Sequence, residues 1–207
     1  GLEPEARTYN TAIIACNQSS RAAEALQVYE RMLNANARPT ATTYTALISA
    51  YGKAGKLDQA LEIFNNMENH GCEKNVITYS SLISACEKAG DCEPGISLLH
   101  DMPAKGCQPN VVTYNSLIAA CAHGGQAEKA QEIFELMRKR GCRPDSVTFG
   151  ALIGAYDRSG NWRGALSSFE AIRTSGCRAD TVVYNNIVGC LWGTGSLKAQ
   201  EKAVQLG

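Results

Sequence analysis

The chain has 207 residues, of which 44% are hydrophobic and 19% charged, so it holds enough apolar side chain for a sizeable core and is no disordered tail. Twenty basic residues balance twenty acidic ones, so a chain-wide positive field is excluded; any attraction for phosphate must come from positive charge gathered on one surface. No apolar run approaches the roughly 18 residues of a membrane span, and no signal-peptide pattern opens the sequence.

Self-comparison sets the elements. An aromatic recurs at Tyr9, Tyr44, Tyr79, Tyr114, Phe149 and Tyr184, always at a step of 35 residues. Gly55, Gly90, Gly125, Gly160 and Gly195 keep the same step, as do Met32, Met67, Met102 and Met137. So do the Gly-Cys pairs that begin at Gly71, Gly106, Gly141 and Gly176. In chain order, residues 1–5 match block ends such as 106–110 and read as the tail of an earlier block. Full blocks follow at 6–40, 41–75, 76–110, 111–145 and 146–180, with a partial block at 181–207. The whole is expected to be one array that continues past both ends.

Each block predicts two helices. In 41–75, Tyr44, Leu47, Ile48 and Tyr51 form one apolar helical stripe, and Gly55 ends that helix. Asp58 opens the second helix at its positive end, Ala60, Leu61, Phe64 and Met67 form its stripe, and Gly71 stops it. In 76–110, Pro94 falls in the first turn of the second helix, where proline is tolerated. Ala25, Ala60, Gly95, Ala130 and Ala165 allow close helix approach; Gln200 breaks that column in the last block. Pro39, Pro109 and Pro144 stiffen the loops between blocks. Neither helix buries its stripe alone, so the pairs must stack. The expected fold is all-α: a right-handed α-solenoid superhelix of stacked helix-turn-helix repeats, with the aromatic, Leu/Ile and Met columns as core.

Seven of the nine cysteines fall at two places in the repeat and none forms a CxxC pair, so they read as reduced, packed thiols rather than a disulfide scaffold or metal ligands. His70, His100 and His123 share no ligand spacing. No cofactor, metal or enzymatic activity is expected from this stretch.

The block VVTYNSLIAACAHGGQAEKAQEIFELMRKRGCRPD at 111–145 resembles the pentatricopeptide repeat, and the resemblance covers essentially the whole chain. The related 34-residue tetratricopeptide repeat differs in period. The uniform step looks like the pure 35-residue subclass. The resemblance implies sequence-specific binding of single-stranded RNA, one base per repeat, in a chloroplast or mitochondrion. The role there would be transcript stabilisation, processing, editing or translation, alongside other organelle RNA-processing proteins.

The family's base-reading positions are the fifth and last residues of each block. Here they are Asn10 with Thr40, Thr45 with Asn75, Ser80 with Asn110, Asn115 with Asp145, and Gly150 with Asp180; Asn185 has no partner in the sequence. The second residue wedges against the base: Thr42, Ile77, Val112, Val147 and Val182, with Arg7 departing from the aliphatic pattern. Lys53, Lys88, His123 and Arg158, again 35 apart, form a stripe suited to phosphates, though cations also favour helix C-termini for their own sake. An ionised Asp only accepts, which suits the ring N–H of uracil or guanine, whereas Asn can also donate to the ring nitrogen of adenine or cytosine. Thr or Ser at the fifth place leaves room for a purine and the longer Asn suits a pyrimidine. The expected target is 5′-pyrimidine-A-A-U-G-3′, with the strand direction taken from the family. Three alternatives stay open. Asn75, Asn110, Asp145 and Asp180 precede helices and would also serve as plain caps. The chain would also serve as a protein-binding scaffold in an organelle complex. Or it is the recognition arm of a longer RNA-cutting or editing enzyme.

Overall fold

A computed structural model describes residues 6–19, 21–193 and 196–206. The readings of residues 1–5 and of Gly195 lie outside these. The described residues form helices only, in two compact units. The first comprises residues up to 89 together with 93–109; the second comprises 90–92 and residues from 110 on. None of the helices is long and apolar enough to cross a membrane, among the described residues.

The first unit holds three helix pairs: α1 (Ala6–Gln18) with α2 (Ala22–Asn34), α3 (Ala41–Lys53) with α4 (Leu57–Asn69), and α5 (Val76–Ala89) with α6 (Glu93–Ala104). The odd-numbered helices stack on one another, α1 on α3 and α3 on α5, while α2 and α4 each pack against their own partner and the next odd helix, and α6 packs against α5. The apolar spacing in the sequence requires this. Tyr44, Leu47, Ile48, Tyr79, Leu82 and Ile83 are all fully buried, as are Met32, Met67 and Met102. Each such side chain contributes about 1.5–3 kcal/mol. Aromatic rings couple successive pairs: Tyr29 meets Tyr44 edge-on with centroids 5.8 Å apart, and Phe64 meets Tyr79 at 5.2 Å. Small residues set the spacing, for a Cβ added at Gly52 would lie 2.6 Å from that of Ala85.

The second unit repeats the plan with α7 (Val111–His123), α8 (Ala127–Lys139), α9 (Ser146–Arg158), α10 (Trp162–Ser175), α11 (Thr181–Gly193) and α12 (Leu197–Leu206). Phe134 packs on Phe149 at 5.5 Å and Phe169 on Tyr184 at 5.3 Å. Gly71, Gly106, Gly141 and Gly176 sit at positive φ after the even helices, and Asn36 takes the same place in the first block at φ 53°.

Two expectations are corrected. The aromatic column is not core throughout: Tyr9 is half-buried and Tyr184 is 43% exposed. In the last pair the buried stripe shifts by one residue, to Ala199 and Ala203, leaving Val204 70% exposed where the other blocks bury a large side chain. Gln200, noted as the break in the small-residue column, is half-buried beside that shifted stripe.

Candidate nucleic-acid interface

The residue before each odd helix from α3 to α11 is drawn into its first turn. Thr40, Asn110 and Asp145 have extended backbones, and their side chains accept from the N–H of Thr43, Thr113 and Thr148 at 3.4, 3.0 and 2.8 Å. The threonine hydroxyls accept in return from the cap N–H at 2.9, 3.3 and 3.0 Å, completing capping boxes. Asn75 caps Thr78 at 3.0 Å and Asp180 caps Val183 at 2.9 Å.

Capping also settles which atoms of these side chains remain free. Oδ1 of Asn75 accepts both the N–H and the hydroxyl of Thr78, each at 3.0 Å, and Oδ1 of Asn110 does the same with Thr113. Each amide therefore keeps its Nδ2 donors for an external group. Among the described residues the Asp145 carboxylate accepts its bonds on Oδ1: from the N–H and hydroxyl of Thr148, both at 2.8 Å, and from Nδ2 of Asn115 at 3.1 Å. Its Oδ2 stays available as an acceptor. Burial raises the Asp145 carboxyl, but the backbone and side-chain bonds from Thr148 and the bond from Asn115 outweigh it and hold the group below the usual carboxylate range. The carboxylate is thus ionised at neutral pH.

The structure brings several expected partners together. Asn115 touches Asp145, and Asn10 donates to Thr40 at 3.4 Å. Thr45 and Asn75 connect through Thr78, whose Oγ lies 3.3 Å from that of Thr45. Ser80 and Asn110 belong to different units. Asn185 is exposed on α11. In the first unit, Thr42, Thr45, Asn75 and Ile77 line a hollow of about 290 Å³, and Lys53, Ile77, Ser80 and Lys88 line an adjoining one of about 240 Å³. In the second, His123, Val147, Gly150, Arg158, Asp180 and Val182 line one of about 320 Å³. Within each unit, then, wedge, base-reading and basic positions share one trough along the odd helices.

The wedge column is exposed despite being apolar. Ile77, Val112, Val147 and Val182 each keep 60–66% of their surface in solvent, and Thr42 is exposed too. Val112, Val147 and Val182 recur at one place on successive odd helices of the second unit, an apolar row rather than scattered surface residues, and such a row suits a binding face. Lys53, Lys88, His123 and Arg158 stand exposed at the ends of α3, α5, α7 and α9. The Lys53 ammonium also donates to the Asn17 carbonyl at 3.2 Å, near the end of α1, so both readings of that column apply to it.

Sequence reasoning missed the buried threonines Thr43, Thr78, Thr113 and Thr148, each with at most 1% of its surface exposed. They hold the base-reading pairs from behind: the Thr148 hydroxyl lies 2.6 Å from Oδ1 of Asn115 as well as 2.8 Å from Asp145. Their own step of 35 residues was the available signal. The role of the cysteine column was also hidden. Thiols of Cys72, Cys107 and Cys177 point to the carbonyls of Pro39, Lys74 and Pro144 at 3.3, 3.8 and 3.1 Å, tying each loop to the one before. All nine cysteines are free thiols. Burial raises Cys72 and Cys121 and pushes Cys190 up to about 11, which keeps the thiols protonated.

Models of the pentatricopeptide repeat match along the chain: "Pentatricopeptide repeat domain" at 97–159, "PPR repeat family" at 4–53 and 39–88, and "PPR repeat" at 77–107 and 147–177. The chain belongs to the pentatricopeptide repeat family. It is similar to the crystal structure of the pentatricopeptide repeat protein PPR10 from maize, at 29% identity and a TM-score of 0.76, over 100% of this chain and 29% of that one. It also matches PPR10 in complex with an 18-nt psaJ RNA element, at 20% identity and TM-score 0.80, over 98% of this chain and 30% of that one. The PPR domain of Arabidopsis thaliana protein-only RNase P 1, in complex with tRNA, matches at 19% identity and TM-score 0.71, over 86% of this chain and 94% of that one. The chain thus spans about 30% of the length of the PPR10 structures. Comparison with curated proteins returns no match.

Proposed function

We propose that this chain binds single-stranded RNA, reading one base per helix pair through Asn10/Thr40, Thr45/Asn75, Ser80/Asn110, Asn115/Asp145 and Gly150/Asp180. The observation that carries the reading is the fixed polarity of the caps. Asn75 and Asn110 leave donors free, which suit the ring nitrogen acceptor of adenine. Asp145 leaves an ionised acceptor, which suits the ring N–H of uracil, with Asn115 filling the space a purine would need. Gly150 adds no side chain beside Asp180, which leaves room for guanine. Exposed Ile77, Val112, Val147 and Val182 separate successive bases, and Lys53, Lys88, His123 and Arg158 face the phosphates. The preferred sequence is 5′-pyrimidine-A-A-U-G-3′.

The RNA complex of a relative and membership of the family support this reading. They also support a place in a chloroplast or mitochondrion, in transcript stabilisation, processing, editing or translation. In a longer protein the array would be a recognition arm. The test is filter binding on RNAs substituted base by base. Replacing the uracil opposite Asn115/Asp145 should weaken binding at least about fivefold, since a good pair is worth about 1–3 kcal/mol. Asp145→Asn should shift the preference there from uracil to cytosine. A uniform response to all substitutions rejects base reading. Zero net charge favours the scaffold reading, and absence of RNA binding at low salt would select it.

A further inference from the structure

The residue before each base-reading cap is Pro39, Lys74, Pro109, Pro144 or Ala179. In three of the five loops a pyrrolidine ring fixes φ just ahead of the cap. The loop before Asn75 has no such ring, yet Lys74 is held there by contacts that no other block repeats. Its ammonium lies 3.1 Å from Oε2 of Glu68 and 4.3 Å from the centroid of the Phe64 ring. Its side chain is only 8% exposed. The other oxygen of Glu68 accepts from Lys105 at 2.8 Å, so the carboxylate bridges two lysines from successive loops. Bonds from Lys105 and then Lys74 hold the Glu68 carboxyl below its ordinary range. Counterparts of Glu68 in the other blocks are Leu33, Pro103, Arg138 and Arg173, none of them acidic. The clamp is therefore peculiar to this loop. The Lys74 carbonyl does what those of Pro39 and Pro144 do, receiving the thiol of the next block.

We propose that Lys74 is a positioning residue for base recognition, a charged substitute for the loop proline that fixes Asn75 against Thr45. The inference rests on the base-reading role proposed above for that pair. The ammonium is committed to Glu68 and Phe64 and is no phosphate contact. It stiffens 71–75 from the side-chain end, whereas Pro39, Pro109 and Pro144 stiffen their loops through the backbone. Asn75 then enters its capping bonds with Thr78 in one orientation, with Nδ2 free. Among the described residues the Ala179 loop has neither device, and the side chain of its cap Asp180 accepts a single bond, from the N–H of Val183.

The test compares wild type, Lys74→Met and Lys74→Pro, each checked for helical content. Affinity is measured for RNAs altered either at the adenine facing Thr45/Asn75 or at the uracil facing Asn115/Asp145. Wild type should discriminate at both sites by at least about fivefold. Lys74→Met, which keeps the apolar stem, should fall below about twofold at the adenine alone, and Lys74→Pro should regain the wild-type ratio. Exchange of the Thr78 amide should quicken in Lys74→Met only. Lys74→Met discriminating like wild type, losing both sites alike, or leaving the Thr78 amide unchanged overturns the proposal. Wild type failing to discriminate at any base instead rejects the base-reading role itself, and the positioning role with it.

Discussion

Replacing Thr148 by valine removes one oxygen and adds one methyl at a site with no exposed surface, so the consequences follow from the bonds lost. The hydroxyl accepts from the Asp145 N–H at 3.0 Å and lies 2.8 and 2.6 Å from Oδ1 of Asp145 and of Asn115. A neutral bond is worth about 1 kcal/mol net and one to a charged acceptor about 1.5–3 kcal/mol. The bonds from the Thr148 N–H and from Asn115 to Asp145 survive, so a total loss of about 2–4 kcal/mol is expected for α9. Repeat arrays unfold in parts, so the assay is native-state hydrogen exchange resolved to α9 rather than a single global melt. The pH dependence adds a check. The folded Asp145 carboxyl lies below its unfolded value, so its stabilisation is complete above the unfolded value of about 3.9 and is lost as pH falls through the folded one. The valine variant loses a donor to that carboxylate, so its deficit relative to wild type should shrink in acid. Preference for uracil should weaken too, because Asn115 and Asp145 are no longer held from behind. Exchange of α9 unchanged at neutral pH, or a deficit that grows in acid, refutes the reasoning.

Four further outcomes are expected. Val147→Ser should leave the melting profile unchanged, because Val147 is already 60% exposed, but should weaken RNA binding by about fivefold, the worth of about 1 kcal/mol of apolar contact; calorimetry and filter binding on one preparation decide it. Lys88→Ala should flatten the dependence of log affinity on log salt by about 0.7 without altering base preference, as expected for one phosphate contact on a single strand. Tyr114→Phe should change stability by less than about 1 kcal/mol, since the buried phenol makes no well-formed hydrogen bond, only a loose approach to Arg140, and Phe149 fills the same place one block later. Tyr79→Phe is the contrast: its phenol donates to Asp101, and denaturant melts should show a loss of about 1–2 kcal/mol.

The amino-acid sequence alone determined the helix pairs and their breaks. These depend on local periodicity, and a step of 35 residues repeats each signal several times. Gly55, Gly90, Gly125 and Gly160 at the breaks, Pro94 in a first turn and the buried methionines are local or stripe properties, and they are found where the pattern put them. The family resemblance supplied the meaning of the fifth and last positions, which periodicity cannot give. Tertiary structure decided what depends on contacts some 30 residues apart in the chain. It showed that capping and presenting a free atom are one arrangement, because Thr148 and Asn115 together occupy Oδ1 of Asp145. It placed Lys74 under Glu68 and Phe64, a triangle that needs one loop folded back on the preceding helix. It also moved the last buried stripe to Ala199 and Ala203, since which face of α12 turns inward is settled by what it packs on rather than by its own sequence.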